Sequence, residues 1–98
     1  MNTYAEHGVA LGENANSGLQ HIAIGYDAVA KNTTDDHING VISIGKGATA
    51  GNAGVSAIAI GTNAKAEEGI AIGANATTGA SSIAIGDGAD TSGAGYGI

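Results

Sequence analysis

The chain has 98 residues, enough for one small domain, and is dominated by 20 Ala, 18 Gly and 12 Ile, with no Pro, Cys, Trp or Phe. Three basic against nine acidic side chains give a net charge of −6, which excludes the basic footprint of a nucleic-acid binder and attraction to an anionic membrane surface. The lack of cysteine excludes a disulfide framework, a thiolate metal site and a Cys nucleophile, and the short apolar runs exclude a helix crossing a bilayer.

Along the chain, Met1 to His7 shows neither a basic n-region nor an apolar h-region, so no secretory signal is predicted. The first predicted strand is Val9-Ala10-Leu11, followed by Gly12-Glu13-Asn14-Ala15. The same form, apolar, small, apolar, Gly, x, x, Ala, returns at Ile22-Ala23-Ile24-Gly25-Tyr26-Asp27-Ala28 and at Ile42-Ser43-Ile44-Gly45-Lys46-Gly47-Ala48. It recurs at Ile58-Ala59-Ile60-Gly61-Thr62-Asn63-Ala64, Ile70-Ala71-Ile72-Gly73-Ala74-Asn75-Ala76 and Ile83-Ala84-Ile85-Gly86-Asp87-Gly88-Ala89. Tyr96-Gly97-Ile98 starts a seventh unit. The steps between units are 13, 20, 16, 12 and 13 residues, so the basic unit is 12 or 13 residues and two units carry insertions.

Each unit reads as a strand, a turn and a second short strand. Alternation of large and small residues has period 2, and β-branched Ile favours extended backbone. Gly after the second apolar residue suits a positive φ or a close backbone approach, and turn formers such as Glu13-Asn14, Thr62-Asn63 and Asp87-Gly88 follow it. The second strand is predicted at Ala28-Val29-Ala30, Ala48-Thr49-Ala50 and Ala64-Lys65-Ala66. Such a unit stacked on itself is a parallel β-solenoid, here one all-β domain over residues 1–98 with repeats over about 9–89. Six coils, one inter-strand spacing each, make a rod roughly 30 Å long.

Period 2 puts the two apolar residues of each unit on one side and the residue between them on the other. The expected roll core is Val9, Leu11, Ile22, Ile24, Ile42, Ile44, Ile58, Ile60, Ile70, Ile72, Ile83 and Ile85. The opposite row, Ala10, Ala23, Ser43, Ala59, Ala71 and Ala84, is never large or charged, unlike a solvated strand face, and is expected to pack copies of the chain around a symmetry axis. The turn glycines are Gly12, Gly25, Gly45, Gly61, Gly73 and Gly86.

Little in the sequence suggests chemistry. His7, His21 and His37 stand apart with no HxH or HExxH spacing, so neither a catalytic site nor a metal site nor a cofactor is expected. Gly40-Val41-Ile42-Ser43-Ile44-Gly45-Lys46 imitates a phosphate loop, but Gly47 stands where Ser or Thr is needed and the interior reads as a strand. The candidate recognition element is the insertion at 31–40, carrying Lys31, Asn32, Thr33, Thr34, Asp35, Asp36, His37 and Asn39, since loops leaving a rigid solenoid often bind.

The six AIAIG-type units, typified by Ile58-Ala59-Ile60-Gly61-Thr62-Asn63-Ala64-Lys65-Ala66, resemble the head repeats of trimeric autotransporter adhesins of the YadA-like type over nearly the whole chain. The resemblance implies a left-handed parallel β-roll, assembly as a homotrimer and a role in surface attachment. No sustained heptads of a coiled-coil stalk occur, and neither a neck nor a membrane anchor is recognisable. Similar repeats occur in bacteriophage fibre, tail and decoration proteins, which need no export signal. The expectation is therefore a non-enzymatic trimeric module of a virion, with other virion proteins or a host-surface protein or glycan as partners. The alternatives are the head of a bacterial adhesin at the cell surface and a monomeric ligand- or ice-binding solenoid.

Overall fold

The structure, a computed structural model, describes residues 8–17, 21–30, 40–51 and 57–92. The strands fall where the alternation lies: β1 (Val9–Leu11), β2 (Asn16–Ser17), β3 (Ile22–Ile24), β4 (Val29–Ala30), β5 (Val41–Ile44), β6 (Thr49–Ala50), β7 (Ala57–Ile60), β8 (Lys65–Ile72), β9 (Thr77–Ile85) and β10 (Asp90–Thr91). Every pairing among the described residues is parallel and joins successive coils. One wall stacks β1, β3, β5, β7 and the C-terminal ends of β8 and β9; the other stacks β2, β4, β6, the starts of β8 and β9, and β10. Among the described residues, six rungs on each wall make an all-β parallel solenoid of about five turns.

The repeat sets the register residue by residue. Val9, Ile22, Ile42, Ile58, Ile70 and Ile83 form one column, and Leu11, Ile24, Ile44, Ile60, Ile72 and Ile85 another. At the turn, the Ala15 N–H donates to the Gly12 carbonyl at 3.2 Å, and the same bond closes every later unit. The third turn residue takes a left-handed conformation at Asn14, Asp27, Gly47, Asn63, Asn75 and Gly88, with φ between 60° and 74°. Only Gly, Asn and Asp occupy that column, as left-handed backbone requires. The turn glycine is bound twice over: at Gly61 φ is +131°, and a Cβ would lie 2.6 Å from the Gly73 carbonyl oxygen of the next coil.

The inside and outside of the roll are the reverse of the expected assignment. Ala23, Ser43, Ala59, Ala71 and Ala84, expected to face a symmetry axis, lie within the coil at 0–1% exposure. They meet Ala15, Ala28, Ala48, Ala64 and Ala76 from the turns and Ser17, Ala30, Ala50, Ala66 and Thr78 from the opposite wall, all buried. Ala10, on the first rung, is partly buried against the same cluster. The apolar pairs expected to fill the core point outward instead: Ile22, Ile24, Ile42, Ile44, Ile58, Ile60, Ile70, Ile72 and Ile83 are partly exposed, and Val9, Leu11 and Ile85 are exposed.

The width of a coil explains the reversal. One hydroxyl spans the interior near the turn, where Ser43 Oγ donates to the Ala48 carbonyl at 2.7 Å. In the last coil Thr91 Oγ1 donates to Ser82 Oγ at 2.9 Å, again bridging the walls. Between the isoleucine strand and the turn, walls that close have room for a methyl or a hydroxymethyl group and none for a butyl side chain; the larger buried His21 and Val41 sit just before that strand. Alanine therefore marks the core, and isoleucine takes the only side left to it.

Candidate functional site

The outward row of the first wall is apolar from end to end. Its two aliphatic columns run in register at a rung spacing of about 4.8 Å, each side chain covered on its flanks by the rungs above and below. Exposure is greatest at the ends, 56% at Leu11 and 65% at Ile85, where one flank has no neighbour among the described residues. The second wall differs. Its outward column is Asn16, Val29, Thr49, Lys65, Thr77 and Asp90, mostly polar. The rod thus has one greasy side and one wet side.

A bulge modifies the apolar side. Between Lys65 and Ile72 the chain needs one residue fewer than between Thr77 and Ile85, and the pairing shifts between Glu68 and Ile70. The extra length is taken up near Ser81, which is exposed and left-handed at φ +49°. Beside it Gly69 carries no side chain, and a Cβ there would meet the Ser82 backbone. The result is an open groove of about 330 Å³, lined by Ala57, Ile58, Glu68, Gly69, Ile70, Ser81, Ser82 and Ile83. It opens on the aliphatic face, so it belongs to that surface.

The polar groups that the structure pairs lie away from this face. His21 is buried, and its Nδ1 accepts a hydrogen bond from the Val41 N–H at 3.2 Å. An imidazole accepting at Nδ1 is neutral, a structural use of the ring. Asp90 Oδ1 accepts from the Ser92 hydroxyl at 2.6 Å and the Ser92 N–H at 2.8 Å, which lower its pKa below the ordinary carboxylate value. Among the described residues no three His, Asp or Glu side chains gather as metal ligands. No helix among them is long and apolar enough to cross a membrane. The candidate recognition residues Lys31, Asn32, Thr33, Thr34, Asp35, Asp36, His37 and Asn39 lie outside the described residues, as do His7, Tyr4 and Tyr96.

The register of in and out carries two signals that the expected assignment overlooks. The residue before the first Ile of a unit, His21, Val41, Ala57 or Ser82, is on the inward side and buried, as is the Ala that ends each turn from Ala15 to Ala76. Counted with the row between the isoleucines, these positions hold no Lys, Arg, Asp or Glu. A set of uncharged positions that large, small apart from His21 and Val41, marks an interior. The turn column of Asn, Asp and Gly points to left-handed backbone from sequence alone.

Searches of protein-family models, curated proteins and solved structures find no match to this chain. The likeness to YadA-like heads therefore rests on the repeat itself.

Proposed function

We propose that this chain is a non-enzymatic structural and adhesive module of a virion fibre, tail or capsid-decorating protein, and that it works as a trimer closed by its isoleucine face. The observation that carries the proposal is the apolar wall. Two columns of large aliphatics stand partly in water on one side of a roll whose own core is alanine. Burying one Ile side chain is worth about 1.5–3 kcal/mol. Cyclic association gives those columns an interior, with three copies turning their polar walls outward. The resemblance to YadA-like heads supports the same geometry and a left-handed coil. Stacked coils supply stiffness, the exposed turn column presents a binding surface, and the insertion at 31–40 remains the candidate recognition element on sequence grounds.

The test is the mass in solution by light scattering. A trimer of about 28 kDa, three times the 9.3 kDa chain, is expected, falling to a folded single chain with Ile60→Arg. A folded wild-type chain that stays at 9.3 kDa refutes trimerisation through this face. Antibody against the chain should label the surface of purified virions. Labelling confined to bacterial cell surfaces would assign the chain to an adhesin head instead.

A further inference from the structure

The turns of the roll stack into a ridge of their own, and all six, at 12–15, 25–28, 45–48, 61–64, 73–76 and 86–89, lie within the described residues. Each is closed by its own Ala-to-Gly bond and tied to the next coil through the backbone. Around the second turn, the Asp27 N–H donates to the Glu13 carbonyl at 3.0 Å and the Gly47 N–H to the Tyr26 carbonyl at 2.8 Å. Side chains on this ridge leave from backbone that is already fixed, which lowers the ordering cost of binding.

Tyr26 is the one large ring on the ridge. It is the only Tyr among the described residues of a chain without Phe or Trp, and it is 46% exposed at the tip of its coil. Its ring serves neither the alanine core nor the aliphatic wall. Exposed Glu13 lies one rung to one side of it and exposed Lys46 one rung to the other, with exposed Asn14 and Asp27 alongside. Among the described residues none of these five side chains makes a hydrogen bond or an ion pair. Three rungs spread them over about 10 Å.

The signs of these groups decide what they can hold. Carboxylates on one flank of the ring and an ammonium on the other suit neither a cation nor an anion, and the net charge of −6 further opposes an anion. An aromatic face takes an apolar surface. A carboxylate accepts hydrogen bonds, an ammonium donates them and an amide does both. One ligand satisfies all of these if it is neutral, has an apolar face and carries groups that both donate and accept. A pyranose has that make-up, with C–H bonds on its face and hydroxyls on its rim. We infer that Tyr26 is the platform of a site for a neutral sugar. The ring packs on the C–H face, Glu13 and Asp27 accept from hydroxyls, Lys46 donates to them, and Asn14 does either. This rests on the reading of the turn column as a binding surface and gives that surface a ligand class. In a trimer the site occurs three times, so a repeated glycan binds with avidity.

A printed panel of neutral and charged oligosaccharides tests this, with the bound 98-residue chain detected by antibody and the best-retained neutral sugar titrated by calorimetry. At least one neutral sugar should bind, with an affinity that changes less than about twofold between about 0.05 M and 0.5 M salt. Tyr26→Ala should weaken it about tenfold or more, whereas Tyr26→Phe, which keeps the ring face, should stay within about threefold. Tyr26 is an exposed turn position, and circular dichroism checks that both variants fold. Retention of no neutral sugar, retention that Tyr26→Ala leaves unchanged, or binding confined to charged glycans overturns the inference. The solution mass keeps it apart from trimerisation. A single chain that binds sugar refutes the trimer alone, and a trimer that ignores every neutral sugar refutes the sugar site alone.

Discussion

Substituting Ala59 with Val tests which side of the strand is the core. Ala59 is fully buried, and its column neighbours Ser43 and Ala71 are too. At Ser43 a single oxygen already sits 2.7 Å from the opposing Ala48 carbonyl. A methyl carbon needs about 3.5 Å or more from its neighbour, so a γ-methyl reaching as far as that oxygen would force the walls apart by roughly 0.8 Å. Overpacking of this kind costs about 1–3 kcal/mol, or roughly 4–24 °C in Tm for a domain of this size. Ile60→Ser is the matched control. Ile60 is one residue away, partly exposed and outward, so within a single chain its loss should cost less than about 1.5 kcal/mol. Melting followed by circular dichroism at two protein concentrations a decade apart separates the two effects. The Ala59→Val loss should not depend on concentration, whereas the Ile60→Ser loss should grow with it as far as the face is used for assembly. A neutral Ala59→Val beside an Ile60→Ser that unfolds the chain at every concentration would refute the inside-out reading.

Three further outcomes follow from single positions. Thr78 Oγ1 is buried and makes no hydrogen bond among the described residues, so Thr78→Val should stabilise by about 1 kcal/mol, read as a rise in Tm. Ser81→Gly should also stabilise, by about 1 kcal/mol, because it relieves left-handed backbone at an exposed position; urea unfolding checks it through the midpoint. Gly61→Ala should destabilise by about 3 kcal/mol or more, since it combines a φ of +131° with a Cβ 2.6 Å from the Gly73 oxygen, and hydrogen exchange should report loss of protection in the neighbouring coils.

The strands and turns were legible because they are local. Ile-Ala-Ile-Gly fixes extended backbone and then a break, and the recurrence of the unit fixes parallel stacking, since identical columns satisfy one another. The inside was not legible from alternation, because period 2 separates two faces without ranking them. Hydrophobicity favours isoleucine for the core, and that preference fails here for a reason of volume: the return strand is two residues long at β4 and β6, and the coil it closes is too narrow for anything beyond Ala, Ser or Thr along most of its length. Val41 and His21 are larger, and both sit at the return side of the coil, just before the first isoleucine or beside it. The bulge at Ser81 depends on one extra residue between units of 12 and 13, a difference visible in the spacing whose placement only the pairing reveals.

The one-rung-per-coil ladder also decides how this rod behaves under load. The backbone hydrogen bonds between its coils run along the stacking axis, so a pull along that axis opens them coil by coil rather than shearing many at once. A 13-residue coil that peels away replaces one rung of about 4.8 Å with roughly 44 Å of extended chain, a gain of about 40 Å. A tether built this way yields in small steps and lengthens greatly before its anchor feels the full force. Each peeled coil can wind back on the template of the coil still standing.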